Sequence, residues 1–320
     1  MKQIFSLFII FFLLNYALYG EELKLIRTNG TLEVFLVDTP PKLDGVLNDK
    51  CWEISDRVSN FVKTDGTLPT QQTVAYVCRD KKNLYIAFEC KEEKMGNIVA
   101  NYKQEGDAVY LDDCVEIFID TKHNHETYYH FMANNIGVKS ADRKIKDEWG
   151  DISTDTETKL NWEVATQKYN DKWTIEICIP FSTLDKEPVE EDIWGINLNR
   201  ERKPEPSENT CFCCTFGWFH IPQRFGHITF TGRKVYLSDL KLRSISDKEE
   251  KATVNIKVNS AIDKREINKT VSFTLSPKQE QNINVVDILR QENITKGTLV
   301  LSLLGLKKEI LIEESYQFER

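Results

Sequence analysis

Polar and apolar residues alternate along Ala108-Val-Tyr-Leu-Asp-Asp-Cys-Val-Glu-Ile-Phe-Ile-Asp120, which stops at the polar run Thr121-Lys-His-Asn-His-Glu-Thr127. Alternation with a period of two predicts a β-strand, and the polar run predicts a hairpin turn. Successive side chains on a strand point to opposite faces, so the strand has an apolar face and a mixed face. The apolar face holds Leu111, Val115, Ile117 and Ile119, and the mixed face holds Tyr110, Asp112, Cys114, Glu116 and Phe118.

The next stretch, Tyr128-Tyr-His-Phe-Met-Ala-Asn-Asn-Ile-Gly137, is expected to return antiparallel to the first strand. A hairpin centred near Asn124 fixes the register, because residues directly opposite each other share a face. The predicted opposite pairs are Phe118 with His130, Glu116 with Met132, and Cys114 with Asn134. The mixed face therefore continues across two strands, and it either lines a ligand cleft or turns towards water.

Short strands separated by turns continue along the chain, which is typical of an all-β fold. Two further hairpins are predicted, one from Thr73–Arg79 and Leu84–Cys90 and one from Asn161–Thr166 and Trp173–Pro180. The stretch Trp194–Arg202 alternates again and places the amides of Asn197 and Asn199 opposite its apolar side. Amides on an interior strand usually have a hydrogen-bond partner or a ligand.

Composition and the N-terminal segment predict an exported globular protein. The chain has 320 residues and a formal charge of -8. Residues 1–20 begin with a positively charged Lys2, continue with an apolar run and end in small residues before Glu21, which is the pattern of a secretory signal peptide. Lys2 is the one charged residue of this segment, so its removal leaves a charge of -9 without a basic block. We therefore expect a secreted or periplasmic protein with no nucleic-acid partner and no transmembrane segment after signal removal.

The eight cysteines are an even number in a chain predicted to be exported, which makes disulfides plausible, but the spacing does not fix their pairing. Several lie within strand patterns, where a free thiol serves as a small buried apolar group. Cys211-Phe-Cys-Cys214 lacks a second Cys or His pair at zinc spacing, so we interpret it as structural.

A change in composition after Gly232 predicts a second domain. The segment that follows is rich in Lys, Glu and Asn and contains no His or Trp. Its predicted strands are Val254–Val258, Thr270–Leu275, Ile283–Ile288, Thr298–Leu303 and Glu309–Glu313. The expected organisation is a signal peptide at 1–20, a β-sandwich at 23–232 and a smaller β-sandwich-type domain of unknown role at 234–320.

Seven blocks of sequence, in order, resemble the carbohydrate-binding module family 9 domain, which is itself similar to DOMON domains. The blocks are Pro41–Trp52, Asn83–Phe88, Leu111–Asp120, Tyr128–Phe131, Trp173–Phe181, Trp194–Arg202 and Phe219–Gly226. The resemblance covers roughly residues 39 to 230 and does not extend to the segment from Lys234 onward. It implies a β-sandwich that holds a terminal sugar between two aromatic rings, with acid, amide and Arg groups on its hydroxyls.

Carried over residue by residue, the resemblance places one aromatic clamp on Tyr110 and the other near Phe219, with Trp218 adjacent. Glu116 matches the sugar-contacting acid, and Asn197 lies in the amide-bearing strand. Met132 departs from the pattern, because sugar-binding members have Arg there. The ligand-binding residues that we predict are Tyr110, Glu116, His130, Asn134, Asn197, Asn199, Trp218, Phe219, His220 and Arg224.

The hypothesis that follows is a non-catalytic protein that binds a sugar or oligosaccharide end in an aromatic-lined cleft. A role as an accessory protein in polysaccharide breakdown is one alternative. A hydrolase is disfavoured, since Asp113 and Glu116 are three residues apart on a strand and point to opposite faces. A haem-binding domain, as in some relatives, would use His130, Met132 and His220. Relatives bind calcium, and 147–151 offers hard oxygen ligands, although no ligand set can be assigned.

Overall fold

The structure is a computed structural model that describes residues 24–146, 151–155 and 158–319. The predicted signal peptide and most of the 147–151 loop lie outside the described residues. Strands of the first part are β1 (Lys24–Asn29), β2 (Thr31–Glu33), β3 (Phe35–Leu36), β4 (Asp56–Val58), β5 (Val62–Lys63), β6 (Thr73–Arg79), β7 (Asn83–Lys91), β8 (Cys114–Asp120) and β9 (Tyr128–Asn134). They are followed by β10 (Lys139–Lys146), β11 (Ile152–Asp155), β12 (Glu163–Lys168), β13 (Lys172–Pro180), β14 (Ile193–Arg202), β15 (Glu208–Cys211) and β16 (Gly226–Thr229).

The last part of the chain contains seven strands and a short helix. The strands are β17 (Val235–Ser238), β18 (Lys241–Ser244), β19 (Glu250–Ser260), β20 (Glu266–Leu275), β21 (Glu280–Asn282), β22 (Lys296–Leu304) and β23 (Ile310–Glu319). Among the described residues the α-helices are α1 (Lys50–Ile54) and α2 (Val285–Gln291), and the 3-10 helices are Met95–Asn97, Val109–Leu111, Phe181–Thr183 and Pro222–Arg224. No helix within the described ranges is long and apolar enough to cross a membrane.

Two sheets pack face to face in the first part of the chain and confirm the predicted β-sandwich. One sheet runs β11-β10-β9-β8-β14-β15-β5, with β16 and β2 beside β14, and the other runs β12-β13-β7-β6-β3, with β4 beside β6. The apolar faces meet in a core that includes Val115, Phe131, Trp173 and Trp194, all nearly inaccessible to water. Burial of these large side chains is the main stabilising contribution to the sandwich.

The central hairpin has the register that the sequence predicts. Phe118 lies opposite His130, Glu116 opposite Met132, and Cys114 opposite Asn134. The hairpins β6–β7 and β12–β13 are also confirmed. In the sheet, strand β8 lies between β9 and β14, so side chains of both neighbours flank its mixed face.

Two sequence predictions about strands in the first part are wrong. The strand of the opening stretch begins at Cys114, because Val109–Leu111 is a 3-10 helix, and Leu111 is exposed instead of lying in the core. The polar, acidic composition from Ile145 to Leu160 predicts a loop, but this segment contains the end of β10 and all of β11. β10 and β11 lack strict apolar alternation, so no local pattern predicts them, and they form because β10 pairs with β9.

The last part of the chain forms a five-stranded sheet, β1-β23-β22-β19-β20, and a three-stranded sheet, β17-β18-β21. Side chains from both sheets share one core, which includes Tyr236, Leu242, Ile256 and Leu301. The predicted strand Ile283–Ile288 is wrong, because this segment enters helix α2, where Asn284 accepts a hydrogen bond from the amide of Asp287. The sheet also recruits β1 from the beginning of the described chain.

All eight cysteines are buried free thiols. Two pairs are in side-chain contact, Cys51 with Cys78 and Cys211 with Cys214. The others fill apolar positions, as the sequence interpretation of small buried groups anticipates.

Candidate functional site

The candidate site is the face of the larger sheet that points away from the sandwich core. Strand pairing places Glu116 of β8 opposite both Met132 of β9 and Asn199 of β14. It likewise places Asp142 of β10 opposite His130. Acid, amide and imidazole side chains thus lie on one face across four strands, and this face is called the polar face below. Its members are Cys114, Glu116, Phe118, Tyr128, His130, Met132, Asn134, Asp142, Asn197, Asn199 and Glu201.

A buried ion pair lies at the middle of the polar face. Nε2 of His130 is 2.7 Å from Oε2 of Glu116, and Nδ1 of His130 is 3.5 Å from a carboxylate oxygen of Asp142. Burial alone would lower the pKa of His130, but its ion-pair contacts with Asp142 and Glu116 outweigh burial and raise the pKa to about 9. The imidazole is therefore cationic at neutral pH and supplies the charge that faces Glu116, beside Met132.

Glu201 brings a second carboxyl group against Glu116. Burial and the negative charge of Glu116 raise the pKa of Glu201 to about 7, although the ammonium of Lys203 opposes this through a direct ion pair. The two glutamate side chains are in hydrogen-bonding contact. Glu201 is absent from the predicted site residues, although its alternation with Asn197 and Asn199 was the signal that placed it on this face.

The three predicted asparagines differ in how their amides are used. The amide of Asn134 binds Asp112 Oδ2 at 2.8 Å and the backbone of its own turn, and that of Asn197 binds both backbone polar groups of Cys213. Asn199 is also fully buried, yet neither its side-chain nitrogen nor its oxygen has a hydrogen-bond partner among the described residues. Buried polar atoms nearly always have partners, so Asn199 is the amide on this face that calls for a ligand or water.

The segment from Phe216 to Phe225 covers one end of the polar face with aromatic rings. Phe219 is buried, with its ring centroid 6.4 Å from that of Phe118, whereas Trp218 is 84% exposed. Phe219 is therefore part of the packing, and Trp218 is the ring that faces solvent. Arg224 is exposed and lies over the ring of Phe216 at 5.0 Å.

His220 joins this segment to the polar face. Its Nδ1 is 2.9 Å from the hydroxyl of Tyr128, and its ring contacts the ring of His130 edge to face at 4.9 Å. Burial and the charge of His130 lower the pKa of His220 to about 4, so His220 is neutral at neutral pH. Tyr110 lies away from this cluster, in the 3-10 helix before β8, and is 46% exposed.

The geometry disfavours the haem alternative. The rings of His130 and His220 touch, so no porphyrin fits between them, and Nε2 of His130 is already bound to Glu116.

The geometry also disfavours Asp113 and Glu116 as the carboxylate pair of a hydrolase. The carboxylate of Asp113 accepts hydrogen bonds from the backbone amides of Val99 and Lys203 and is therefore engaged away from Glu116. Within the described ranges no group of three or more His, Cys, Asp or Glu side chains is arranged to hold a metal ion, and residues 147–150 of the predicted calcium loop lie outside those ranges.

Comparison with known families identifies the first part of the chain. The family described as carbohydrate family 9 binding domain-like matches residues 43–230, more than half of the sequence. The chain belongs to this family. The match contains the polar face and ends one residue after β16, and it leaves the last part of the chain unassigned.

Solved structures similar to the chain include the following three. Two are a carbohydrate binding module family 9 from Caldicellulosiruptor kristjanssonii, in complex with glucose (18% identity, 65% of this chain and 98% of the other, TM-score 0.48) and with cellotriose (18%, 63% and 94%, TM-score 0.47). The third is a protein from Bacteroides uniformis proposed to bind carbohydrate (15% identity, 63% and 99%, TM-score 0.51). At these identities the third match supports the fold alone. Comparison with curated proteins gave no match.

Proposed function

We propose that the protein is an exported, non-catalytic carbohydrate-binding protein that holds a sugar or oligosaccharide end against the polar face. Membership of the family and the Caldicellulosiruptor complexes with glucose and cellotriose motivate this ligand class. The N-terminal segment, which resembles a signal peptide, motivates a secreted or periplasmic location.

The observation that carries the proposal is the unpaired amide of Asn199 directly opposite Glu116. Both residues are buried, so a sugar reaches them only when the side chains around them move apart. A sugar hydroxyl both donates and accepts, so one hydroxyl pair could then bind the carboxylate of Glu116 and both polar atoms of Asn199. Glu201, which contacts Glu116, and its ion-pair partner Lys203 are partly exposed.

Exposed aromatic rings supply the second part of sugar recognition. Tyr110 and Trp218 present flat apolar faces, which suit the C–H surface of a pyranose. We assign stacking to these two residues and a packing role to Phe219, because its ring is buried against Phe118.

A binding role without catalysis fits the carboxyl geometry. Glu116 and Glu201 are in contact, whereas the two carboxyl groups of a glycosidase lie about 5 Å apart or more so that substrate or water fits between them. The pair can accept hydroxyl hydrogen bonds but leaves no room to flank a glycosidic bond.

The experiment is a calorimetric titration of glucose, other monosaccharides and cello-oligosaccharides into the whole chain. We expect one weak site for at least one sugar, weakened about tenfold or more by Tyr110→Ala and by Trp218→Ala. Tyr169→Ala is the matched control, since Tyr169 is another exposed tyrosine, in the turn between β12 and β13 of the other sheet. No binding heat with any sugar, or equal losses in the control, would refute the proposal.

A further inference from the structure

Three histidines lie together at the tip of the β8–β9 hairpin and the start of β16, apart from the Glu116–His130 pair. The ring centroid of His123 is 4.8 Å from that of His125 and 4.8 Å from that of His227. Nε2 of His123 is 2.9 Å from Nδ1 of His227. The two nitrogens come from residues 104 apart in sequence, so the fold builds the contact.

A glycine makes room for the cluster. Asp120, Gly195 and His227 lie in one row across β8, β14 and β16. A Cβ atom at Gly195 would lie 3.2 Å from Cβ of Asp120 and 3.7 Å from Cδ2 of His123. Gly195 thus lies in van der Waals range of the His123 ring, and an added Cβ atom would be tight only against Asp120.

The third histidine is held in a fixed orientation. Nδ1 of His125 donates to the carbonyl oxygen of Pro222 at 3.0 Å, and Gln223 donates its side-chain amide to the carbonyl of His125 at 2.9 Å. A neutral imidazole that donates through Nδ1 presents its lone pair on Nε2, which is the arrangement seen when a backbone carbonyl orients a metal ligand. The backbone of His123 and His125 is left-handed, with φ of 50° and 59°, a conformation that is uncommon outside glycine.

Imidazole nitrogen is a preferred ligand of Zn²⁺, Cu²⁺ and Ni²⁺, and the tip cluster brings three imidazoles from two separate segments of the chain together.

We propose that His123 and His227 chelate one divalent transition-metal ion, Zn²⁺, Cu²⁺ or Ni²⁺, at this tip. Nitrogens 2.9 Å apart subtend about 90° at an ion with bonds of about 2.0–2.1 Å, which is the angle between adjacent ligands of an octahedral or square-planar ion. Without metal these two nitrogens share a hydrogen bond and point at each other, so chelation requires the proton of the donor nitrogen to move to the other nitrogen of its ring. Both rings must also turn until their lone pairs converge on the ion. The chelate leaves coordination positions open, and His125 is the nearest further imidazole.

The bound ion would cross-link the hairpin tip to strand β16. His123 lies in the turn after β8, and His227 lies in the strand that continues from the Phe216–Phe225 segment. The site does not depend on the proposed sugar site, and its test uses no sugar.

The test is titration of Zn²⁺, and separately of Cu²⁺, into the whole chain after treatment with a chelator and removal of that chelator. We expect one ion per chain, binding about tenfold or more weaker in His123→Gln and His227→Gln, and a melting temperature that rises with metal concentration. Tyr169→Ala is the control, because Tyr169 is an exposed residue of the other sheet, and metal binding by this variant should equal that of the unmodified chain.

Electron paramagnetic resonance of the Cu²⁺ form of the unmodified chain provides a readout that does not depend on the folding of variants. Hyperfine coupling to two imidazole nitrogens supports the chelate. Absence of binding in calorimetry, absence of nitrogen coupling, or equal affinity in the His123→Gln/His227→Gln double variant would overturn the proposal.

Discussion

His130 supplies the positive charge of the polar face. Its ring is stacked on Phe118 at 4.2 Å and is 3% exposed, so the ion pair with Glu116 is shielded from water. Removal of one member of a buried ion pair leaves the other charge without compensation, which costs about 3–5 kcal/mol. The stability of the face therefore depends on the protonation of this imidazole.

We predict that His130→Gln lowers the free energy of unfolding by about 3 kcal/mol at pH 6. The pKa of His130 is raised in the folded state to about 9, so its contribution is fully present below the ordinary value of 6.5 and is lost as pH rises through 9. Urea unfolding at pH 6 and pH 9.5 should show a smaller difference between wild type and variant at the higher pH. An equal difference at both pH values would contradict the ion pair.

The contribution of Glu201 to stability should also fall as pH rises, but the cause is its burial beside Glu116. Its pKa is raised to about 7 by burial and by Glu116, so its favourable contribution is present below about 4.5 and is lost as pH rises through 7. We predict that Glu201→Gln stabilises the protein relative to wild type by about 1–2 kcal/mol more at pH 8 than at pH 5. Thermal unfolding of both proteins in the two buffers measures this, and a pH-independent difference would show that the pKa of Glu201 is not raised in the folded protein.

The Phe216–Phe225 segment contains two adjacent aromatic residues that differ in burial, since Phe219 is packed and Trp218 is exposed. We predict that Phe219→Ala lowers the free energy of unfolding by about 3 kcal/mol or more, because it opens a cavity against Phe118. Trp218→Ala should change stability by less than about 0.5 kcal/mol, since the ring is 84% exposed. Chemical denaturation of the two variants tests this, and similar losses in both would contradict the different burial of the two rings.

The strands of the sandwich were predictable where local alternation and a short turn act together. In the β8–β9 hairpin the turn length and the period of two fix which residues face each other, so Glu116 and Met132 were paired correctly from the sequence. The same reasoning placed Asn197 and Asn199 on one face of β14, and the same alternation carries on to Glu201. It did not show which amide would remain unpaired, because the partner of Asn197 is the backbone of Cys213, in the chain beyond β15.

Elements that depend on tertiary partners were not predictable from local pattern. β10 brings Asp142 to His130, yet its residues are all partly exposed and show no alternation. The apolar residues of 283–288 fit a strand or a helix turn equally, and the cap at Asn284 with burial of Val285 and Leu289 selects the helix. The exposure of Trp218 and the burial of Phe219 are likewise set by packing on Phe118.

On the scale of the whole molecule, strand β1 ties the beginning of the described chain to its end. It pairs with β23, and the guanidinium of Arg27 is buried in ion pairs with Asp239 and Glu314. The carbonyl oxygen of Phe212, within the family 9 part, accepts a further hydrogen bond from Arg27. The domain limits 23–232 and 234–320 remain a proposal, and β1 is the element by which the two parts are interlocked.

We predict that Arg27→Ala lowers the free energy of unfolding by about 3–5 kcal/mol, because it leaves Glu314 and Asp239 without their buried counter-charge. Arg57→Ala is the matched control, since Arg57 forms an exposed ion pair with Glu280 and should cost about 1 kcal/mol or less. Differential scanning calorimetry measures both variants. Comparable melting temperatures in the two would contradict the role assigned to Arg27.

The central claim, that the polar face binds sugar through Asn199, is tested most directly by measuring stability and sugar affinity together in Asn199→Ala. Because its amide has no partner among the described residues, removal should leave the free energy of unfolding unchanged or higher while sugar binding weakens about tenfold or more. Asn197→Ala provides the contrast, with a loss of about 1–3 kcal/mol, since its amide is bonded to Cys213. Unchanged sugar affinity in Asn199→Ala, or a loss of stability equal to that of Asn197→Ala, would contradict the account.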